Sequence, residues 1–122
     1  MANILVIDDE QSIRKLLTLM LKKENHDIQT ACDGKQGIRM AKELSPDLVI
    51  TDLIMPEKEG LETIREIKEF NPDIKIIAIS GGGVVQPEMY LKMAEKIGAD
   101  HSFTKPVDTD SFLSAVNQLL GC

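Results

Sequence analysis

The sequence predicts an α/β fold: a doubly wound, parallel five-stranded sheet of (βα)5 type with helices on both faces. Two observations predict it. Five short apolar runs alternate with five stretches whose apolar residues recur at the helical period. Three of those runs are almost unbroken Ile, Leu and Val, the composition of strands buried on both sides. Right-handed crossovers through the intervening helices then make the strands parallel and cover both faces.

The elements follow in order. Strands are expected at Asn3–Asp8, Asp27–Ala31, Asp47–Asp52, Ile74–Ser80 and Asp100–Thr104. The second and fifth are mixed in character, which suits edge or half-covered strands. The first helix carries the stripe Ile13, Leu16, Leu17, Met20 and Leu21. The second carries Ile38, Ala41 and Leu44 and is closed by Ser45-Pro46, where proline cannot continue a helix. Leu61, Ile64 and Ile67 make the third, stopped at Asn71-Pro72. Met89, Met93, Ala94 and Ile97 make the fourth, with Pro87 in its first turn and Gly98 at its end. Phe112, Ala115, Val116 and Leu119 make the fifth, capped by Asp108 or Thr109 and closed by Gly121. On this spacing Met20, Met40, Met89 and Met93 are core fillers.

A chain of 122 residues is one domain, 1–122, large enough to bury a core without staples. A net charge of −6 argues against a nucleic-acid surface and against anionic lipid. The longest apolar runs are far too short to span a bilayer, and no signal peptide is expected at the N-terminus. Cys32 and Cys122 read as reduced thiols of a cytoplasmic protein. His26 and His101 have no ligand-spaced partner and read as solvent-facing or hydrogen-bonding residues.

The chemistry gathers where the strands end. Asp8 and Asp9 end the first strand, Asp52 the third and Ser80 the fourth, and Lys105 follows the fifth. In a parallel sheet all these ends point the same way, and ligands bind there beside the topological switch point. Singly, Asp9 reads as a helix cap, Asp52 as a loop acid, Ser80 as a strand-end hydroxyl and Lys105 as an exposed lysine. Together they need a cation, because like charges on one buried edge repel. Carboxylate oxygens without His or Cys suit Mg2+, or Mn2+ as another oxygen-seeking ion. Three carboxylates balance Mg2+ plus Lys105, so an anionic phosphoryl donor meets a neutralised site. Phosphoryl transfer needs that positioning more than proton chemistry, and a carboxylate is a competent nucleophile. Asp52, central and apart from the Asp8–Asp9 pair, is the best acceptor.

Val6-Ile7-Asp8-Asp9-Glu10, Pro46 to Pro56 around Asp52, Ile79-Ser80-Gly81 and Thr104-Lys105-Pro106 together resemble the receiver domain of two-component response regulators. The resemblance covers essentially the whole chain. It implies a flavodoxin-like strand order 2-1-3-4-5. It implies that Asp52 takes phosphate from a phosphohistidine on a sensor kinase or phosphotransfer protein. Asp9 and Asp52 would bind Mg2+ directly with the backbone carbonyl of Ile54, and Asp8 through water. Lys105 and Ser80 would contact the phosphoryl group, and Lys105-Pro106 would be cis. Such a domain is a switch that catalyses only its own phosphorylation and dephosphorylation and signals by binding an output protein. No effector domain is expected in this chain.

Three positions depart from the family pattern. Ser102 stands where an aromatic residue is usual, and adjacent Phe103 faces the other way. The stretch from Gly81 to Gln86 is about three residues longer than usual, and Val107 replaces a common aromatic. The longer loop and Ser102 predict that activation orders residues 81–91 instead of rotating a strand-five ring. The competing readings are a Mg2+-dependent phosphatase or phosphotransferase of haloacid dehalogenase type and a flavodoxin-like cofactor protein. The first carries its nucleophile in Asp-x-Asp after strand one, where this chain has Asp8-Asp9-Glu10. The second needs a glycine- and hydroxyl-rich phosphate loop where this chain has acid.

Overall fold

The computed structural model describes residues 2–53, 60–80 and 87–121. Its elements run β1 (Asn3–Ile7), α1 (Gln11–Lys22), β2 (Asp27–Ala31), α2 (Gly34–Leu44), β3 (Leu48–Asp52), α3 (Gly60–Phe70), β4 (Lys75–Ser80), α4 (Pro87–Ile97), β5 (His101–Thr104) and α5 (Thr109–Leu120). All neighbouring strands pair in parallel, in the order β2-β1-β3-β4-β5. The mixed strands β2 and β5 therefore form the edges, and the apolar β1, β3 and β4 lie inside.

Alternation along the strands divides the core into two layers, because successive side chains point to opposite faces. Leu5, Ile7, Val49, Leu53, Ile76 and Ala78 pack under α2, α3 and α4 with Ile38, Ala41, Ile64, Ile67, Leu91 and Ala94. Ile4, Val6, Leu48, Ile50, Ile77 and Ile79 pack under α1 and α5 with Leu17, Met20, Leu21, Phe112, Ala115 and Val116. Asp108 caps α5 by accepting the Ser111 N–H at 3.0 Å, and Gly121 closes it in the left-handed conformation. Ser45 turns the chain out of α2 with φ of 45°, just before Pro46.

The helix stripes are partly corrected. Leu16 and Leu44 are exposed, because the buried arcs of α1 and α2 are narrower than the apolar periodicity. The larger correction is α4. Met89, Met93 and Ile97 are 54%, 45% and 37% exposed and are not core fillers. The helix offers two apolar rows, and the one containing Leu91, Ala94 and partly buried Tyr90 meets the sheet. The small Ala94 side chain lets α4 lie close to the sheet, and that choice turns the methionine row outward.

Close approach also fixes α3. The Gly60 N–H donates to the Leu53 carbonyl at 2.8 Å. A Cβ at Gly60 would come within 2.3 Å of the Asp52 carbonyl oxygen, so only glycine fits there. His26 is buried, and its Nδ1 accepts the Ala2 N–H at 3.3 Å, which makes it a hydrogen-bonding residue. Among the described residues no helix is long and apolar enough to cross a membrane.

Candidate functional site

Asp8, Asp52, Ser80 and Lys105 come together at the carboxyl edge of the sheet because main-chain bonds continue past the strand ends. The Asp8 N–H donates to the Ala31 carbonyl at 3.1 Å. The Leu53 N–H donates to Ile79 O at 3.0 Å, and the Lys105 N–H to Ser80 O at 2.8 Å. The ends of β3 and β5 are thus each tied to β4. The Lys105-Pro106 peptide is cis.

The Lys105 ammonium sits among the acids. Lys105 Nζ lies 3.2 Å from Asp8 Oδ2, 3.2 Å from Glu10 Oε1 and 3.4 Å from Asp52 Oδ2. Asp8 and Asp52 are buried, 1% and 5% exposed, while Asp9 beside them faces solvent. The Asp8 carboxylate also accepts the Glu10 N–H at 2.9 Å, and its carbonyl accepts from Arg14 Nη1 at 2.7 Å. Burial pushes the Asp8 carboxyl above its ordinary value, against the lowering pull of the Glu10 N–H and Lys105. Burial also pulls Lys105 down, but the charges of Asp52 and Asp8 outweigh it and hold the ammonium above its usual range.

Asp8, Asp9 and Asp52 can each offer one oxygen, all within 4.8 Å of one another. Three hard oxygens with no nitrogen or sulfur among them fit Mg2+, which takes a few carboxylates and keeps its remaining positions for water or phosphate. Asp9 does not cap α1, whose N-cap is Glu10 without a side-chain cap bond, so Asp9 is not committed to that helix. The Ser80 hydroxyl is fully buried at the end of β4 and has no hydrogen-bond partner among the described residues. An orphaned buried hydroxyl at a strand end is costly unless a ligand completes it.

Glu10 is the site residue that sequence reasoning missed. It follows the two aspartates directly, and its signal was that adjacency. Ile54 and the 81–86 stretch, which carried expectations for the metal and for activation, lie outside the described residues. Ser102, in the position usual for an aromatic, donates to Glu95 Oε2 on α4 at 2.5 Å. Phe103 faces the opposite layer and packs edge-on against Phe112, with ring centroids 5.9 Å apart. It does not substitute for the missing ring.

The family profile described as the response regulator receiver domain matches residues 4–117. The chain is 37% identical to the chemotaxis protein CheY of Halobacterium salinarum, over 96% of this chain and 95% of that one. It is 33% identical to the DNA-binding dual master transcriptional regulator RpaA of Synechocystis, where it covers 98% of itself but only 49% of the relative. Among solved structures, a response regulator receiver domain protein from Clostridium thermocellum superposes with a TM-score of 0.90 at 33% identity, covering 99% of this chain and 95% of that one. The receiver domain of NtrX from Brucella abortus gives 0.89 at 30%, covering 97% and 98%. None of these relatives supports the haloacid dehalogenase alternative. This chain belongs to the response regulator receiver domains of two-component signalling.

Proposed function

We propose that Asp52 is the phosphoacceptor of a single receiver domain spanning 1–122, charged by a phosphohistidine on a sensor kinase or phosphotransfer protein. The observation that carries it is the Lys105 ammonium shared by buried Asp8 and Asp52 at 3.2 and 3.4 Å. In the transfer an Asp52 oxygen bonds to phosphorus while the bond from phosphorus to the donor nitrogen breaks. The nitrogen keeps the electron pair. Lys105 neutralises one oxygen of the transferring group and Ser80 donates its O–H, unpartnered among the described residues, to another.

Asp9 and Asp52, with Ile54 in the family pattern, would hold Mg2+ directly, and Asp8 through water. When bound, the ion supplies charge neutralisation for the incoming phosphoryl oxygens. Two unit charges about 4 Å apart at an effective dielectric near 20 interact by roughly 4 kcal/mol, so neutralisation decides whether an anionic donor approaches. The phosphorylated domain then signals by binding an output protein. It turns over no substrate besides its own aspartyl phosphate.

Incubation of the chain with Mg2+ and phosphoramidate should add one phosphoryl group, and Asp52→Asn should remove it. Continued stoichiometric labelling of Asp52→Asn would overturn the assignment.

A further inference from the structure

Three carboxylate oxygens contact Lys105 Nζ, from Asp8, Glu10 and Asp52. An ammonium has three N–H donors: Glu10 Oε1 and Asp52 Oδ2 each accept one, and Asp8 Oδ2 faces the same nitrogen at ion-pair distance. A phosphoryl group arriving on Asp52 brings new anionic oxygens and needs one of those donors. Asp8 and Asp52 have side chains 2% and 6% exposed and sit where the sheet holds them. The Glu10 side chain is 56% exposed, and its N-cap position makes no side-chain cap bond. Of the three, Glu10 is the one that leaves for water at little cost.

We propose that Glu10 is a positioning residue for phosphoryl transfer: in the resting protein its carboxylate occupies the Lys105 donor that a phosphoryl oxygen takes over. The proposal rests on Asp52 as acceptor and Lys105 as clamp. Entry of the donor is then an exchange, in which one anionic oxygen replaces another on the same ammonium. The bonds made and broken at phosphorus are unchanged. Glu10 competes with the bound donor, so its influence falls on the half-saturating donor concentration and not on the rate at saturation.

The test compares the full chain, Glu10→Ala and Glu10→Asp, each with Mg2+ and a series of phosphoramidate concentrations, following phosphorylated chain by intact mass. Glu10→Ala removes both charge and contact. Glu10→Asp keeps the charge but is one methylene shorter, and an aspartate at an N-cap turns to the first-turn N–H groups of α1. Both variants should lower the half-saturating concentration roughly two- to fivefold, the range an exposed ion pair is worth. The saturating rate should stay within about twofold in both. If Glu10→Asp matches the parent while Glu10→Ala does not, the effect is charge repulsion alone and the proposal fails. It fails equally if neither variant moves the half-saturating concentration. Asp52→Asn run alongside separates the two levels: label surviving in that variant sinks the acceptor assignment itself.

Discussion

Both ends of the sheet are lined with aspartates, but the two sets are held differently. At the amino end, Asp47 Oδ2 accepts the Asn3 N–H at 2.9 Å. Asp100 Oδ2 accepts the Ile76 N–H at 2.9 Å and lies 3.4 Å from Lys68 Nζ. Those carboxylates hold neighbouring strands in register. At the carboxyl end, Asp8 and Asp52 are buried against the Lys105 ammonium, and the Ser80 hydroxyl has no partner among the described residues. The residue type is shared, and what differs is that the amino-end acids bridge neighbouring strands while Asp8 and Asp52 converge, buried, on the Lys105 ammonium. The first arrangement joins strands; the second gathers negative charge that a cation offsets.

The comparison can be broken by removing the cation at each end. Lys105→Met should destabilise the metal-free protein by about 3 kcal/mol, since it leaves two buried carboxylates without their ammonium. Lys68→Met should cost no more than about 1 kcal/mol, because both members of its pair are partly exposed. Urea unfolding of the two variants measures the contrast, and equal costs would erase it.

Mg2+ provides the next largest effect. At about 100 times its dissociation constant, an ion that binds only the folded chain stabilises it by about 2.7 kcal/mol. Thermal unfolding with and without Mg2+ should show this for the parent and lose it in Asp9→Ala. Asp47→Ala should keep the full response.

The same substitution should then change sign between the two ends. Asp8 is held above its ordinary value by burial, so its ionisation opposes folding. Its favourable contribution is present in acid and is lost as pH rises through the raised value. Asp8→Asn should therefore raise the thermal midpoint at pH 7, with the gain shrinking as pH falls below the ordinary carboxylate range. Asp100→Asn weakens a charge-assisted bond to the Ile76 N–H and should cost about 1 kcal/mol. A smaller effect is expected on β5, where Ser102→Ala removes an exposed bond to Glu95 and should cost under about 1 kcal/mol.

The sequence made most of the fold legible because strand composition and helix period answer different questions. Continuous Ile, Leu and Val in β1, β3 and β4 marked inner strands, and the mixed β2 and β5 marked edges. The α5 stripe packed as its spacing indicates, with Phe112, Ala115 and Val116 buried. The α4 stripe did not, because that helix has two apolar rows and periodicity cannot say which row the sheet takes. The juxtaposition of Asp8, Asp52 and Lys105 was legible from topology, since parallel strands deliver their ends to one edge. Glu10 was not, because its role depends on how far an exposed side chain reaches across to β5.

The contact at Gly60 has a consequence for how the sequence is free to vary. The obstacle to a side chain there is main chain, the Asp52 carbonyl and Leu53 Cα, so no substitution elsewhere clears it. Gly37 is equally tight, but its obstacle is the Ile7 side chain, 2.4 Å from the added Cβ. A smaller residue at position 7 makes room. In a randomised library selected for folded product, positions 7 and 37 should therefore covary, trading volume between them. Position 60 should covary with nothing and stay glycine, an invariant adjoining Asp52 that owes its constancy to steric exclusion and none of it to chemistry.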